Sequence, residues 1–283
     1  MKTILEIIRL STDYLTNCSI GNARREAEQL IADVLGMQRM HLYMHHDRPL
    51  EEKEMALCRE VLKRRGAGEP SQYIRGKVDF FDCSFTVTTD VLIPRQETEI
   101  LVDKISRYLS AIPNLHQKKL WDICTGSGCI GIALKKRFPE LQVTLSDISE
   151  KALAVAKKNA EAAAVEVEVL QGDLFHPFQG RKTDFLVCNP PYIAEKEYES
   201  LEREVKNFEP KLALIAGETG EEIYRRMAQD LRKFIQSPGK AWFEIGTNQG
   251  NALIDLFKSS GFDSILLEKD WSGQDRFFSL EFD

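Results

Sequence analysis

The fold is decided by the stretch Leu120-Trp121-Asp122-Ile123-Cys124-Thr125-Gly126-Ser127-Gly128-Cys129-Ile130-Gly131, in which an apolar run meets a glycine loop. Its glycines satisfy the pattern G-x-G-x-x-G, where the first two shape a tight turn and the third lets a helix pack closely on a strand. The next apolar run ends in Asp147, 19 residues after Gly128, where a carboxylate can accept hydrogen bonds from ribose hydroxyls. These residues predict a strand, a ligand-binding loop and a helix.

Apolar runs and helical segments alternate along the chain from residue 119 onward. Seven runs are predicted strands: Leu120–Cys124, Gln142–Ser146, Glu166–Leu170, Asp184–Cys188, Lys240–Ile245, Ser264–Glu268 and Phe277–Phe282. Four segments between them are predicted helices: Ile130–Phe138, Glu150–Ala163, Gly220–Ile235 and Asn248–Ser259. This alternation predicts an α/β fold with a mostly parallel sheet covered on both faces. The short final connection predicts that the last two strands pair antiparallel.

The chain before this region follows a different pattern. Apolar side chains recur at helical spacing up to about residue 75, which predicts a small helical domain. Residues Val78–Val87 alternate and carry three phenylalanines, so they predict a hairpin with Asp82 in its turn. A helix is predicted from the segment that begins at Leu92 to about Ser110.

Composition excludes several classes of protein. The chain has 283 residues, 43% of them apolar and 29% charged, which is typical of a folded protein of one or two domains. Its net charge of −6 argues against a protein that mainly grips duplex nucleic acid. No apolar run approaches the roughly 20 residues that span a bilayer, and Glu6 interrupts any signal peptide, so we expect a soluble, cytoplasmic protein. Six scattered cysteines, without a C-x-x-C pair, predict neither a disulfide framework nor a metal site.

The glycine loop alone leaves the ligand open. An NAD pyrophosphate or the amino acid end of S-adenosylmethionine could lie over it, and the loop could also serve only helix–strand packing. Asp122 favours S-adenosylmethionine, because a carboxylate there could meet an ammonium group, directly or through water, whereas it would repel pyrophosphate.

The residues that follow the fourth predicted strand, Asn189-Pro190-Pro191-Tyr192, favour methyl transfer. In a parallel sheet they face the same crevice as the glycine loop. An amide nitrogen is planar and weakly nucleophilic, so two acceptors that take both of its N–H groups would orient it and stabilise the charge that develops. Asn189 Oδ1 and the Pro190 carbonyl can act as those acceptors, the prolines restrict the loop, and Tyr192 offers a flat face.

These motifs resemble those of class I S-adenosylmethionine-dependent N-methyltransferases. Further stretches resemble the PrmC/HemK family of peptide chain release factor glutamine methyltransferases; they are Pro70–Gly76, Ile93–Glu99, Glu209-Pro210, Glu244–Gly250 and Asp275–Phe278. The resemblance covers nearly the whole chain. The sequence departs from the family's usual pattern at Cys124, where glycine is common, and at Ile215-Ala216-Gly217, which replaces a glycine-rich run.

The resemblance implies a Rossmann-like methyltransferase with a seven-stranded, mostly parallel sheet whose last strand is antiparallel, plus a small N-terminal helical domain. It implies a helical substrate-recognition domain over residues 1–76, a hairpin linker over 77–92 and the methyltransferase domain over 93–283. The implied substrate is the glutamine of the Gly-Gly-Gln motif in bacterial class 1 release factors, with no nucleic-acid requirement, no membrane and a monomeric enzyme. Asn189, Pro190, Pro191 and Tyr192 would hold the glutamine, and S-adenosylmethionine would contact Cys124, Thr125, Gly126, Ser127, Gly128, Asp147, Asp173, Leu174 and Asn189.

Other patterns carry weaker interpretations. Glu97 and Glu99 could form an acid or metal pair, but a helix cap through Thr98 or a place at the cleft mouth near Arg95 fits better. His41, His45 and His46 are more typical of a solvated helix end than of a metal site, and we expect no metal. The residues alone also leave open an NAD-dependent oxidoreductase, a sensor of an adenosyl ligand, and methyltransferases of DNA adenine, ribosomal RNA guanine or ribosomal protein glutamine.

Overall fold

The computed structural model describes residues 2–283, which form two compact units. One holds the chain up to Lys77 together with Glu202–Phe208, and the other holds Val78–Leu201 and Glu209–Asp283. In chain order the elements are α1 (Ile4–Asn17), α2 (Ala23–Val34), α3 (Arg39–Met44), α4 (Glu52–Gly66), α5 (Ser71–Arg75), β1 (Lys77–Phe80), β2 (Cys83–Thr86), α6 (Gln96–Ser110), β3 (Lys119–Ile123), α7 (Cys129–Arg137), β4 (Gln142–Asp147), α8 (Glu150–Ala162), β5 (Glu168–Gln171), β6 (Thr183–Cys188), β7 (Ile193–Ala194), α9 (Glu195–Tyr198), α10 (Arg203–Phe208), β8 (Ile215–Gly217), α11 (Glu222–Phe234), β9 (Ile235–Glu244), α12 (Gly250–Ser259), β10 (Ile265–Lys269) and β11 (Asp275–Phe282).

The first unit is built from short amphipathic helices, as the helical spacing predicts. α1 begins with a capping box, in which Thr3 accepts from the Glu6 amide and the Glu6 side chain accepts from the Thr3 amide. The apolar faces of α1, α2 and α4 enclose a core of their own that includes Ile8, Leu30 and Leu62. This unit therefore has a hydrophobic core of its own, separate from the clusters that pack on the sheet.

The second unit contains the seven-stranded sheet, in the order β10-β11-β9-β6-β3-β4-β5. β6, β3, β4 and β5 pair in parallel, and β9 pairs in parallel with β6. β11 is antiparallel to both of its neighbours, β9 and β10. The fold class expected from the sequence, including the antiparallel last strand, is therefore confirmed.

The differences from the predicted elements are local. β9 begins at Ile235, directly after α11, rather than at Lys240. The predicted hairpin forms from β1 and β2, and Phe81 and Asp82 in its turn both have positive φ. The pattern gave no indication of the small β7–β8 sheet or of the short helices α9 and α10.

Strand register fixes where the two functional motifs meet. In the parallel β3–β6 pair, Ile123 lies beside Cys188 at the carboxyl ends of both strands. The glycine loop follows Ile123 and the Asn-Pro-Pro-Tyr segment follows Cys188, so both leave the sheet at one edge. None of the helices described between residues 2 and 283 combines the length and the apolar character needed to cross a membrane.

Candidate active site

A cavity lies at this edge of the sheet, within the second unit. It encloses about 820 Å³, counting the space open to solvent at its mouth. The residues that line it include Asp90–Leu92; Pro94, Arg95 and Thr98; Cys124–Ser127; Asp147–Ser149; and Asn189 with Pro191. The glycine loop, the carboxylate that ends β4 and the carboxamide that follows β6 therefore line one cavity, as the sequence predicts.

The glycine loop turns through left-handed backbone conformations. Cys124, Gly126 and Gly128 have φ of 59°, 54° and 83°, a region that costs little only for glycine. The Thr125 amide donates to the Ser146 carbonyl over 3.0 Å, and the Gly128 amide donates to the Thr125 carbonyl over 2.8 Å. These bonds hold the loop between β3 and β4 and leave Gly128 as the N-cap of α7.

Asp122 lies beneath the loop and is outside the cavity lining. Its Oδ2 accepts from the Thr125 hydroxyl over 2.6 Å and from the Gly131 amide over 2.9 Å. Burial raises the pKa of this carboxyl to about 7. Its other oxygen, Oδ1, is buried without a hydrogen-bond partner among the described residues. The position does not support direct contact between Asp122 and a ligand in the cavity; it makes this residue the support of the loop.

Asp147 lines the cavity and is fixed by backbone amides. Oδ2 accepts from Gly126 over 2.9 Å and Oδ1 accepts from Ser149 over 2.9 Å. Burial raises the pKa of this carboxyl, and the hydrogen bonds from Ser149 and Gly126 oppose the rise. Each carboxylate oxygen has a further lone pair, so Asp147 can still accept from two adjacent hydroxyls.

Asn189 is oriented by a chain of two hydrogen bonds. Its Nδ2 donates to the Thr98 hydroxyl oxygen over 3.4 Å, and the Thr98 hydroxyl donates to Oε2 of Glu244 over 2.7 Å. Thr98 and Glu244 are each 2% exposed. Burial raises the pKa of Glu244 to about 7, and its backbone is anchored by the Tyr224 hydroxyl, which donates to the Glu244 carbonyl over 2.7 Å.

Tyr192 is held in place by Gln249. The Gln249 Nε2 group donates to the carbonyls of Tyr192 and Gly220, each over 3.0 Å, and Oε1 accepts from the Gly246 amide over 2.8 Å. Burial raises the pKa of Tyr192 to about 12, so its phenol stays neutral. Gln249 thus ties the segment after β6 to the start of α12.

Another part of the cavity lining is formed by two stretches that are far apart in the sequence. The buried Glu209 carboxylate forms an ion pair with Arg95 and accepts from the Ile93 amide. This pairing brings the entry to α6 beside Pro210, which lines the cavity with Arg95. The stretches Ile93–Glu99 and Glu209-Pro210 therefore belong to one structural feature.

Five of the predicted site residues, Tyr192 among them, are not in the cavity lining. Gly128 begins α7, Pro190 is buried between Asn189 and Pro191, and Leu174 packs with positive φ into the core behind β3 and β6. Asp173 forms an ion pair with Arg226 over 2.5 Å. Their proposed roles stay predictions.

Sequence reasoning missed part of the lining. Ile148, Ser149 and Ala152, which follow Asp147, line the cavity, and Ile148 is 50% exposed. An exposed isoleucine directly after the strand-ending carboxylate is a signal that could have indicated a flat apolar ligand group. The Asp90–Leu92 segment carried no signal in the sequence.

The acidic pair in α6 and the three histidines, which carried weaker interpretations in the sequence, do not form a metal site among the described residues. Arg95 is the N-cap of α6 and no side chain caps this helix among the described residues, so the cap through Thr98 is wrong. Glu97 and Glu99 lie in the first turn of α6, where negative charge is favourable. His41, His45 and His46 are exposed around the end of α3. Within residues 2–283, no cluster of acidic, histidine or cysteine side chains could hold a metal ion.

Comparison with known proteins identifies the family. Residues 6–76 match the model of the PrmC N-terminal domain, and residues 98–208 match that of the methyltransferase small domain. The chain is 42% identical over 278 residues to the release factor glutamine methyltransferase of Chlamydia trachomatis serovar D, covering 98% of this chain and 93% of that protein. It is 36% identical to the protein of that name from Geobacter sulfurreducens, covering 97% and 95%.

Solved structures agree in fold. The catalytic domain of hMettl16, solved with an RNA hairpin, aligns with a TM-score of 0.54 at 16% identity and covers 82% of this chain and 83% of that one. The Thermus thermophilus 16S rRNA methyltransferase RsmC, solved with AdoMet and guanosine, aligns with a TM-score of 0.54 at 12% identity and covers 73% and 50%. These similarities support the methyltransferase fold, and the full-length relatives go further: the chain is a member of the release factor glutamine methyltransferase family.

Proposed function

We propose that this protein transfers a methyl group from S-adenosylmethionine to the side-chain amide nitrogen of the glutamine in the Gly-Gly-Gln motif of class 1 release factors, leaving S-adenosylhomocysteine and modulating translation termination. The observation that carries the proposal is one cavity that joins Asn189 to the Cys124–Ser127 loop and Asp147. Methyl transfer needs the methyl donor and the accepting amide nitrogen to be held side by side and in line. This cavity has residues that could hold each of them.

The donor half of the cavity fits the cofactor. Asp147 has free lone pairs for ribose hydroxyls, Ile148 offers an apolar face for a purine ring, and the glycine loop allows close approach of a polar chain. When bound, S-adenosylmethionine supplies an electrophilic methyl group whose leaving group is a neutral thioether. Asp173 and Leu174 are proposed to contact the adenine from the loop after β5.

The acceptor half fits a carboxamide. Asn189 Oδ1 and the Pro190 carbonyl are proposed to accept the two N–H groups of the glutamine amide, with Pro191 shaping the turn and Tyr192 packing against the flat group. Both acceptors lie on a segment fixed by Gln249, so little reorganisation is needed when charge develops on nitrogen. The neutral phenol of Tyr192 adds no competing charge.

The first unit is proposed to recognise the release factor. An apolar groove between α1 and α4 is lined by residues that include Leu10, Tyr14 and Met55, and basic side chains at Lys2, Arg59 and Lys63 border it. Leu10 and Tyr14 are 48% and 42% exposed, which suits a protein partner. We propose that the enzyme acts as a monomer in the cytoplasm and needs no nucleic acid.

The test uses a purified class 1 release factor, methyl-labelled S-adenosylmethionine and peptide mass spectrometry. We expect one methyl group on the glutamine of the Gly-Gly-Gln motif, and label on another residue would refute the assignment. Asn189→Ala should lower kcat by at least about 100-fold, as loss of a preorganised polar contact does, while affinity for S-adenosylhomocysteine stays within about twofold. The exposed Asn248→Ala is the control and should behave as the unaltered protein does.

A further inference from the structure

Asn189, Thr98 and Glu244 come from three separate elements. Asn189 follows β6, Thr98 lies in the first turn of α6, and Glu244 ends β9. β6 and β9 are neighbours in the sheet, with Cys188 beside Phe243, so the residues that follow them are close together. α6 carries Thr98 to the gap between them, where its hydroxyl contacts both side chains.

The direction of these hydrogen bonds decides which atom of Asn189 is free. A threonine hydroxyl has one proton, and Thr98 gives it to the Glu244 carboxylate over 2.7 Å. The Thr98 oxygen can then only accept, so the atom of Asn189 that faces it must be the NH₂ group, at 3.4 Å. Nδ2 is therefore engaged, and Oδ1 is left as an acceptor for another group.

We propose that Thr98 and Glu244 are positioning residues for methyl transfer, which hold the Asn189 carboxamide so that Oδ1, and not Nδ2, is presented to the substrate amide. The proposal rests on the proposed role of Asn189. Without the Thr98 hydroxyl, the Asn189 carboxamide could rotate by about 180° and present Nδ2 to the substrate. The NH₂ group of the substrate amide also only donates, so the two groups could not form a hydrogen bond.

The same arrangement predicts that the orientation of the Asn189 carboxamide depends on the charge of Glu244. Ionised Glu244 can only accept, which forces Thr98 to donate to it. A protonated carboxyl could donate to Thr98 instead, so that the Thr98 proton would turn toward Asn189 and attract Oδ1. Burial raises the pKa of Glu244 to about 7, so the productive orientation is expected to be gained as pH rises through this range. The charged or titratable groups that face Glu244 are Arg276, Arg95, Glu97, Tyr192, Tyr224 and Cys129.

The experiment measures kcat and KM for the release factor at saturating S-adenosylmethionine between pH 6 and 8.5, together with affinity for S-adenosylhomocysteine. Thr98→Val keeps the shape but removes the hydroxyl; it should lower kcat by about 10- to 100-fold, by analogy with lost supporting hydrogen bonds at other sites, with little change in KM. Thr98→Ser should recover most of kcat. The kcat of the unaltered enzyme should rise with a midpoint near pH 7, and this rise should be absent in Thr98→Val.

The matched control is Thr144→Val. Thr144 is a buried threonine that also donates to a glutamate, Glu168, over 2.9 Å, and it lies on β4 outside the cavity lining. We expect its kcat and pH profile to match those of the unaltered enzyme. In addition, Thr98→Val should add little to the loss caused by Asn189→Ala, since both act on one carboxamide.

Two results would overturn the positioning role: a kcat of Thr98→Val within twofold of Thr144→Val, or an unchanged rise of kcat with pH in Thr98→Val. If Thr98→Val fails to bind S-adenosylhomocysteine, the pH profile of Glu244→Gln decides, because a flat profile supports the proposal and an unchanged rise rejects it. Normal activity of Asn189→Ala would instead reject the role of Asn189 itself. An inactive Asn189→Ala beside a fully active Thr98→Val rejects only the positioning.

Discussion

The backbone N–H of Gly131 donates to Oδ2 of Asp122 over 2.9 Å, so the first turns of α7 are held directly against the buried strand β3. This contact is possible because Gly131 has no side chain. A methyl group at its Cα would stand 2.3 Å from Cδ2 of Leu145 and 3.0 Å from Oδ2 of Asp122, both closer than van der Waals contact allows. The third glycine of the loop is therefore required by helix–strand packing and not by backbone conformation.

Gly131→Ala is expected to destabilise the protein by overpacking this contact, at a cost of about 1–3 kcal/mol. The control is Gly180→Ala, which has φ of 75° and no described atom within 4 Å of the added methyl group, so it carries only backbone strain of about 1–2 kcal/mol. Urea unfolding of the cofactor-free protein measures both. Only Gly131→Ala should also weaken S-adenosylhomocysteine binding; equal affinities in the two variants would contradict the packing argument.

The free energy of unfolding of the cofactor-free protein is expected to fall as pH rises from about 4 to about 7. Burial raises the pKa of Asp122 to about 7, whereas an aspartate in the unfolded chain titrates near 3.9. Between these values the folded state holds a proton that the unfolded state has released, so raising the pH favours unfolding. Asp122→Asn should flatten the decline of the unfolding free energy with pH by up to about 1.4 kcal/mol per pH unit. A slope identical to that of the unaltered protein would show that Asp122 titrates normally.

The sequence predicted the sheet well because its signals are local. β3, β4 and β6 are short apolar runs that end in distinctive residues, and strand order then brings Gly126, Asp147 and Asn189 to one edge. The fold class follows from the alternation of strands and helices along the chain. The shared position of the three motifs follows from the rule that ligands bind at the carboxyl ends of parallel strands.

What could not be predicted depends on contacts between distant elements. Whether Asp122 faces a ligand or the loop depends on how closely α7 approaches β3, which no spacing reveals. The role of Thr98 depends on Glu244, 146 positions away, so its place in the first turn of α6 suggested a cap instead. The segment after Tyr192 forms β7 by pairing with β8, and neither strand is long enough to show a periodic pattern.

Asp147→Asn is expected to weaken S-adenosylhomocysteine binding by about 1–2 kcal/mol, the size of lost hydrogen bonds to a charged group. The variant keeps the shape but replaces one acceptor by a donor, which opposes the Gly126 amide or the Ser149 amide and removes one acceptor for a ribose hydroxyl. The matched control is Asp184→Asn. Asp184 is also buried and accepts from a backbone amide, that of Lys119 over 2.9 Å, but it lies at the start of β6, outside the cavity lining. Calorimetry should show weaker binding for Asp147→Asn alone; equal affinities would place the ribose elsewhere.

Gln249→Glu is expected to lower kcat while leaving cofactor affinity nearly unchanged. Glutamate can still accept from the Gly246 amide, but its second oxygen would face the carbonyls of Tyr192 and Gly220, where Nε2 now donates over 3.0 Å to each. Repulsion there should loosen the segment that carries Asn189, and a loosened acceptor loses the preorganisation on which its contribution depends. We expect kcat for the release factor to fall by about tenfold or more, with S-adenosylhomocysteine bound within about twofold of its normal affinity. Because Asn248 is exposed, the neighbouring Asn248→Asp adds the same charge without touching these carbonyls; an equal loss of kcat in that variant would show that charge alone, and not the clamp on Tyr192, is responsible.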